Sequence, residues 1–120
     1  RHLNRRLRDA GVRNVQTILA EPDDPLLPDA SVDRFVIVDT WHHIDDRVKY
    51  ARRLAAALKP GGRVAIVDWQ KRELPVGPPL DHKLAREQVI DEMTQAGYRL
   101  AGEPDLLPYQ YVLLFTPTAR

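Results

Sequence analysis

Residues 54–67 read LAAALKPGGRVAIV, and this stretch decides the fold. Apolar side chains recur every three or four positions from residue 48 to residue 58, which predicts a helix with one buried face. Pro60-Gly61-Gly62 predicts the end of that helix, and residues 64–67 (VAIV) are typical of a strand covered on both faces. The apolar helix positions are Val48, Ala51, Leu54 and Leu58.

The segments on either side continue this alternation of helices and strands. Toward the N-terminus, Leu3, Leu7 and Ala10 predict a helix that Gly11 caps, and residues 15–20 (VQTILA) and 35–38 (FVIV) predict strands, the latter buried on both faces. Toward the C-terminus, residues 85–96 predict a helix with Val89, Met93 and Ala96 facing inward and Gly97 at its end, followed by two strands at 98–101 and 109–115. Those last strands lie too close together for a helical crossover, so we expect them to be antiparallel.

Length and composition limit the classes of function. The 120 residues, with 43% hydrophobic and 29% charged, predict a single globular domain over residues 1–120. A net charge of +1 makes nucleic acid an unexpected partner. There is no cysteine and no apolar run of about 20 residues, so we expect a cytoplasmic protein that does not span a membrane.

Several motifs occur together in an order that is specific for one family. Residues 27–33 (LPDASVD), the strand at 35–38, His42-His43-Ile44, residues 57–62 (ALKPGG) and residues 67–71 (VDWQK) follow one another along the chain. In this order they resemble class I S-adenosylmethionine-dependent methyltransferases, in particular a small bacterial and archaeal branch. The resemblance implies a Rossmann-like α/β sheet, mostly parallel, with an antiparallel last strand.

Two parts of the family's cofactor site have no counterpart in this sequence. In the family, the first strand leads into a glycine-rich turn and the second ends in an acid that binds the ribose. The six glycines here form no G-x-G, and helical spacing begins almost at the first residue, Arg1. We therefore expect a truncated chain, a fragment or processed product that lacks the first two strands of the family's sheet.

The resemblance also implies which residues bind S-adenosylmethionine. Glu21 stands where the family has an acid for the adenine amino group, and Pro22 follows it but has no backbone N–H to donate to the ring. Val38, Asp39 and Thr40 stand where the family contacts the methionine part of the cofactor. Asp39 is unusual at this position, and its carboxylate is either a partner for a cationic group or a solvated acid at a strand end.

The acceptor and the catalytic groups are less well defined. His42 and His43 are candidates for a general base, although a structural role for this pair is the alternative. Adjacent histidines without a third ligand nearby do not predict a metal site. The expected substrate contacts, at or beyond the ends of the two buried strands, are Trp41, Asp68, Trp69 and Lys71.

Three functions remain open from the sequence. The first is a methyltransferase that acts on an unidentified acceptor, either a small molecule or one of unknown kind. The second is a non-catalytic methyltransferase-like fragment, an interaction or self-associating subunit, because a strand without its neighbour invites a homo-oligomer. The third, an unrelated α/β binding domain of receiver type, requires a cluster of acids at strand ends and a downstream lysine, and the spacing here fits it poorly.

Overall fold

A computed structural model of the chain describes residues 2–118. In chain order the elements are α1 (His2–Asp9), β1 (Val32–Val38), α2 (Arg47–Ala57), β2 (Leu58–Trp69), α3 (Arg86–Gln95), β3 (Tyr98–Gly102) and β4 (Gln110–Pro117). Short 3₁₀ helices occupy Trp41–His43 and Leu80–His82. Arg1, which the sequence placed at the edge of a helix, lies outside the described residues. No helix within residues 2–118 is long and apolar enough to cross a membrane.

The four strands form one mixed sheet in the order β1-β2-β4-β3. β1 runs parallel to β2, whereas β4 runs antiparallel to both β2 and β3. The predicted α/β class and the antiparallel last strand are therefore confirmed. Among the described strands only the β1–β2 pair is parallel, so the sheet is mixed rather than mostly parallel.

α2 and the turn after it join β1 to β2 as the sequence predicted. The Asp46 side chain caps the helix by accepting a hydrogen bond from Lys49 N at 3.1 Å. The helix ends at Ala57, and the PGG segment lies inside the long strand β2 rather than before it. Gly62 is required there, because a Cβ at this position would come within 2.9 Å of the Lys59 carbonyl oxygen.

The hydrophobic core lies between the sheet and the two helices α2 and α3. Both helices contribute their predicted inward faces, and the Tyr98 hydroxyl donates to the carbonyl oxygen of Ala51 at 2.6 Å. Gly97 ends α3 with a φ of 93°, as the sequence predicted. The largest fully buried side chains include Trp41, Leu54, Ile66, Met93, Tyr98 and Phe115.

Two strand predictions are wrong near the N-terminal side of the sheet. Residues 15–20 do not form a strand, and Val15, Ile18 and Leu19 are exposed. β1 is partly buried on one face only, since Val36 is 67% exposed and Val38 is 51% exposed. A β-type sequence forms a strand, and a strand is covered on both faces, only where pairing and packing partners are present. Among the described residues, none pairs with the outer edge of β1, and residues 15–20 pair with no strand.

Candidate functional site

The turn that follows β1 is the start of the site. Asp39 has a φ of 55°, in the left-handed region, and its N–H donates to the carbonyl oxygen of Val67 at 2.8 Å. The Thr40 hydroxyl donates back to the Val38 carbonyl oxygen at 2.9 Å. These bonds redirect the chain from β1 into the 3₁₀ turn Trp41–His43, beyond the carboxyl ends of the parallel strands, where open α/β sheets bind ligands.

The centre of the site is a buried pair formed by His42 and Asp68. Asp68, near the end of β2, is 1% exposed, and its carboxylate lies 2.8 and 2.9 Å from His42 Nδ1. The same carboxylate accepts from the backbone N–H of His42 at 3.1 Å and from that of Trp69 at 2.8 Å. A proton on Nδ1 satisfies the carboxylate and leaves the lone pair on Nε2, which has no hydrogen-bond partner within residues 2–118.

An ion pair between α2 and α3 supports the 3₁₀ turn. The guanidinium of Arg47, in the first turn of α2, binds both carboxylate oxygens of Glu92 on α3 at 2.8 and 2.9 Å. It also donates to the Ile44 carbonyl oxygen at 3.0 Å, directly after the turn. A bidentate, partly buried pair of this kind has a fixed geometry, so it fixes α2, α3 and the end of the turn relative to one another.

Tyr111 packs on the same side of the sheet as Asp68. It is opposite Asp68 in the β2–β4 register, and its hydroxyl donates to the Leu84 carbonyl oxygen at 3.0 Å. Burial raises the pKa of Tyr111 well above its ordinary value, and the negative charge of Asp68 raises it further. The phenol therefore stays neutral near the carboxylate and closes this side of the site to water.

The structure places two of the predicted substrate residues in the interior. Trp41 is fully buried, with its ring edge-on to Tyr50 at a centroid distance of 6.1 Å. Its indole N–H is buried without a hydrogen-bond partner in the described part of the chain. Direct substrate contact by Trp41 does not fit this burial, and the Asp68 carboxylate faces His42 rather than an open pocket.

The predicted cofactor residues are only partly brought together. Pro22 and Thr40 line one cavity of about 430 Å³ beside the 3₁₀ turn, together with His43. Glu21, Val38 and Asp39 do not line it: Glu21 is exposed and bonds to Asp24 through the backbone, and Val38 lies on the open face of the sheet. The other polar side chains around this cavity include Asp23, Asp45, Asp46 and Lys49.

The loop after β2 carries the remaining predicted substrate residues. Gly77 folds back onto the Trp69 ring so closely that a Cβ there would come within 2.9 Å of it. Lys71 lines a separate cavity of about 360 Å³ beside the start of α3, where Arg86 forms an ion pair with Glu103. The buried Lys83 closes the base of this loop by donating to the Arg72 carbonyl oxygen at 2.7 Å.

Two positions of the site were missed by the sequence-based interpretation, Lys83 and Gln110. Gln110, the first residue of β4, donates from its side-chain amide to the Asp39 carboxylate. Its sequence signal was a single polar residue at the start of an apolar strand, which does not identify a partner 71 positions away. Among the described residues, no group of three or more His, Cys, Asp or Glu side chains is arranged to hold a metal ion.

Comparison with known proteins gives a consistent result. A sequence family described as a methyltransferase domain matches residues 1–66, which is more than half of the chain. The 27-O-demethylrifamycin SV methyltransferase of Amycolatopsis mediterranei is 38% identical over 60 residues, 50% of this chain and 22% of that protein. The ubiquinone/menaquinone biosynthesis C-methyltransferase UbiE of Vibrio cholerae is 30% identical over 105 residues, 87% of this chain and 39% of that protein.

A solved structure agrees with these sequence matches. A SAM-dependent methyltransferase from Aquifex aeolicus superimposes with a TM-score of 0.87 and 26% identity, over 92% of this chain and 59% of that chain. The chain thus spans less than two thirds of each of these relatives.

Proposed function

This chain belongs to the methyltransferase domain family of class I S-adenosylmethionine-dependent enzymes, and from that premise we propose that it contributes to methyl transfer onto a small-molecule acceptor. The proposed acceptor atom loses a proton in the reaction, and His42 is the general base that receives it. The observation that carries this proposal is the buried His42–Asp68 pair at the carboxyl end of the parallel strands.

Asp68 has a defined part in this proposal. Since its carboxylate contacts Nδ1 and the backbone N–H of His42, it fixes the ring orientation and the tautomer together. Nε2 is then the nitrogen that takes a proton from the acceptor. The two curated relatives named above carry O-methyltransferase and C-methyltransferase activity in their names, and both kinds of transfer release a proton from the methylated atom.

In this proposal Pro22 and Thr40, which share a cavity, contact S-adenosylmethionine. Asp39 lies outside that cavity, but the second oxygen of its carboxylate has no hydrogen-bond partner in the described part of the chain, so it suits a cationic group. Bound S-adenosylmethionine supplies a methyl group that its sulfonium has already activated. The protein's part is to orient the acceptor, keep water away and accept the proton. We propose Glu21 and Val38 as further contacts, and Trp69 and Lys71 as contacts to the acceptor.

A methyl-transfer assay tests the proposal. Because the sequence contains no G-x-G turn, we expect the 120-residue chain to bind S-adenosylmethionine more weakly than micromolar, so the assay uses millimolar cofactor with a labelled methyl group. The test compounds offered as methyl acceptors are small hydroxylated aromatic compounds. Replacement of His42 by Asn should lower the rate by about 10²–10⁴-fold, the usual contribution of a general base. An unchanged rate would exclude His42 as the base, and titration calorimetry with a low-micromolar dissociation constant would refute the weak-binding prediction.

One observation favours a second function. The outer edge of β1 is unpaired in the described residues, and Val36 and Val38 of the same strand are exposed on the open face of the sheet. We propose that the chain self-associates through this edge, since an exposed apolar strand edge recruits another strand. In this proposal the protein is cytoplasmic and its unit is a homo-oligomer. Light scattering coupled to size exclusion tests it, and a monodisperse 13.7 kDa monomer would refute it.

A further inference from the structure

The backbone conformation of Asp39, in the turn after β1, must be held by contacts from outside the turn. A left-handed backbone is unfavourable for residues other than glycine, although aspartate and asparagine tolerate it better than most. Asp39 nevertheless adopts a φ of 55° between a parallel strand and a 3₁₀ helix. A non-glycine residue persists in such a conformation only when surrounding contacts hold it there.

One side chain supplies that support from the far side of β2. Gln110 is opposite Trp69 in the β2–β4 register, and its amide donates to the Asp39 carboxylate beyond the end of β1. The contact therefore spans the central strand β2 and ties the first residue of β4 to the turn after β1. It is partly buried, so water competes with it less than at an open surface.

The turn that Gln110 holds is the one that delivers His42. Only Thr40 and Trp41 separate Asp39 from His42, and His42 must reach the Asp68 carboxylate with its ring and its backbone N–H at once. Two carboxylates therefore hold this turn: that of Asp39, within the turn, bonds to Gln110, and that of Asp68, on β2, bonds to His42. A change in the conformation of Asp39 rotates the peptide units that follow and moves His42 away from Asp68.

We propose that Gln110 is a positioning residue for His42. By holding the Asp39 carboxylate across β2, it fixes the left-handed turn and so fixes the imidazole on Asp68. The role of His42 in proton transfer rests on the proposed function, whereas the geometric effect of Gln110 does not. The two are therefore tested separately.

The experiment exchanges donor and acceptor within the pair. In Gln110→Glu, two carboxylates face each other and the hydrogen bond is lost. The double variant Asp39→Asn with Gln110→Glu restores the bond with its polarity reversed, because asparagine and glutamate have the shapes of the residues they replace and asparagine tolerates the left-handed turn. Gln95→Leu is the control for loss of a glutamine–aspartate hydrogen bond elsewhere, since Gln95 donates to Asp91 at 3.0 Å on the exposed side of α3.

The readout is spectroscopic and needs no acceptor. Imidazole ¹⁵N spectra report the Nδ1 proton that His42 shares with Asp68, and amide exchange reports the Asp39 N–H on Val67. We expect the Gln110→Glu variant to lose the His42 Nδ1 proton signal and the Asp39 protection. The double variant should recover both, and Gln95→Leu should keep both.

Two outcomes would overturn the proposal. One is an unchanged His42 signal in Gln110→Glu, even if the melting temperature falls, because Gln110 would then stabilise the fold without positioning His42. The other is a double variant that regains stability without regaining the His42 signal. Either result would leave the methyl-transfer assay of the His42→Asn variant, and hence the proposed function, unaffected.

Discussion

The carboxyl end of β2 and the outer edge of β1 differ in how far neighbouring residues provide hydrogen-bond partners for their polar groups and cover their apolar side chains. At the end of β2, the Asp68 carboxylate is buried and accepts from His42 and from the Trp69 N–H. At the outer edge of β1, no strand within residues 2–118 pairs with the backbone, and Val36 and Val38 are exposed. The two regions are adjacent in one sheet, so the difference reflects the neighbours of each strand.

Three apolar segments show that neighbouring strands decide whether a segment becomes a strand and where it lies in the sheet. Residues 15–20, 35–38 and 64–67 all have the composition of β-strands. Residues 64–67 have strands on both sides and form the centre of the sheet, residues 35–38 have one and form its edge, and residues 15–20 have none and form no strand. Strand propensity therefore acts through pairing and packing partners.

Among the substitutions that compare the two regions, Asp68→Ala is expected to have the largest effect on the free energy of unfolding. The substitution leaves the N–H groups of His42 and Trp69 without their acceptor in a partly buried site, and an unsatisfied donor of this kind costs about 1–3 kcal/mol. With more than one donor affected, we expect the free energy of unfolding in urea to fall by about 3 kcal/mol. Asp45→Ala, which removes an exposed acid near the same turn, should change it by less than about 0.5 kcal/mol. Equal effects of the two substitutions would show that the buried pair contributes nothing to the fold.

The complementary change is made at the outer edge of β1. Val36→Lys places a charge on the exposed face of an edge strand, a device by which natural edge strands avoid association. We expect light scattering to show an oligomer for the unmodified chain and a monomer for the variant, with nearly equal urea midpoints. If both chains have the same mass in solution, the β1 edge is not where copies associate.

The parts of the fold that depend on local signals were predictable from the sequence. The end of α3 at Gly97 and the antiparallel β3–β4 pair follow from glycine conformation and loop length. Whether residues 15–20 form a strand, and how far the second face of β1 is covered, depends on pairing and packing partners rather than on local sequence.

The candidate site was predictable in its location and less so in its contacts. The turn after β1 and the end of β2 were identified because parallel strands bring their carboxyl ends together. The pairing of His42 with Asp68, the burial of Trp41 and the contact between Asp39 and Gln110 all depend on the register of three strands. Side-chain partners 26 and 71 positions apart cannot be inferred from spacing.

A smaller effect is expected at the cap of α2, which supports the turn that carries His42. Asp46→Ala removes the side-chain acceptor of the Lys49 N–H, and loss of a helix N-cap costs about 1 kcal/mol. We expect the urea midpoint to fall while the His42 Nδ1 proton signal stays in place, because Arg47 still binds Glu92 and the Ile44 carbonyl oxygen. Loss of that signal would mean that the cap, and not the buried pair, determines the geometry of the site.

The smallest effect is expected from the exposed ion pair between Arg86 and Glu103, beside the cavity that Lys71 lines. The hydrogen bond from Arg86 lowers the pKa of Glu103, and burial opposes this only in part. Because the folded-state pKa lies below the unfolded value of about 4.3, the pair stabilises the fold above that pH and loses its contribution as the pH falls through the folded-state pKa.

The urea midpoints of the unmodified chain and of Glu103→Gln should therefore differ slightly at neutral pH and converge in acid. Added salt should also bring them together, since exposed pairs are screened. A gap that persists in acid would show that Glu103 acts through packing rather than charge, and a gap as large as that of Asp68→Ala would remove the distinction between buried and exposed carboxylates at this end of the sheet.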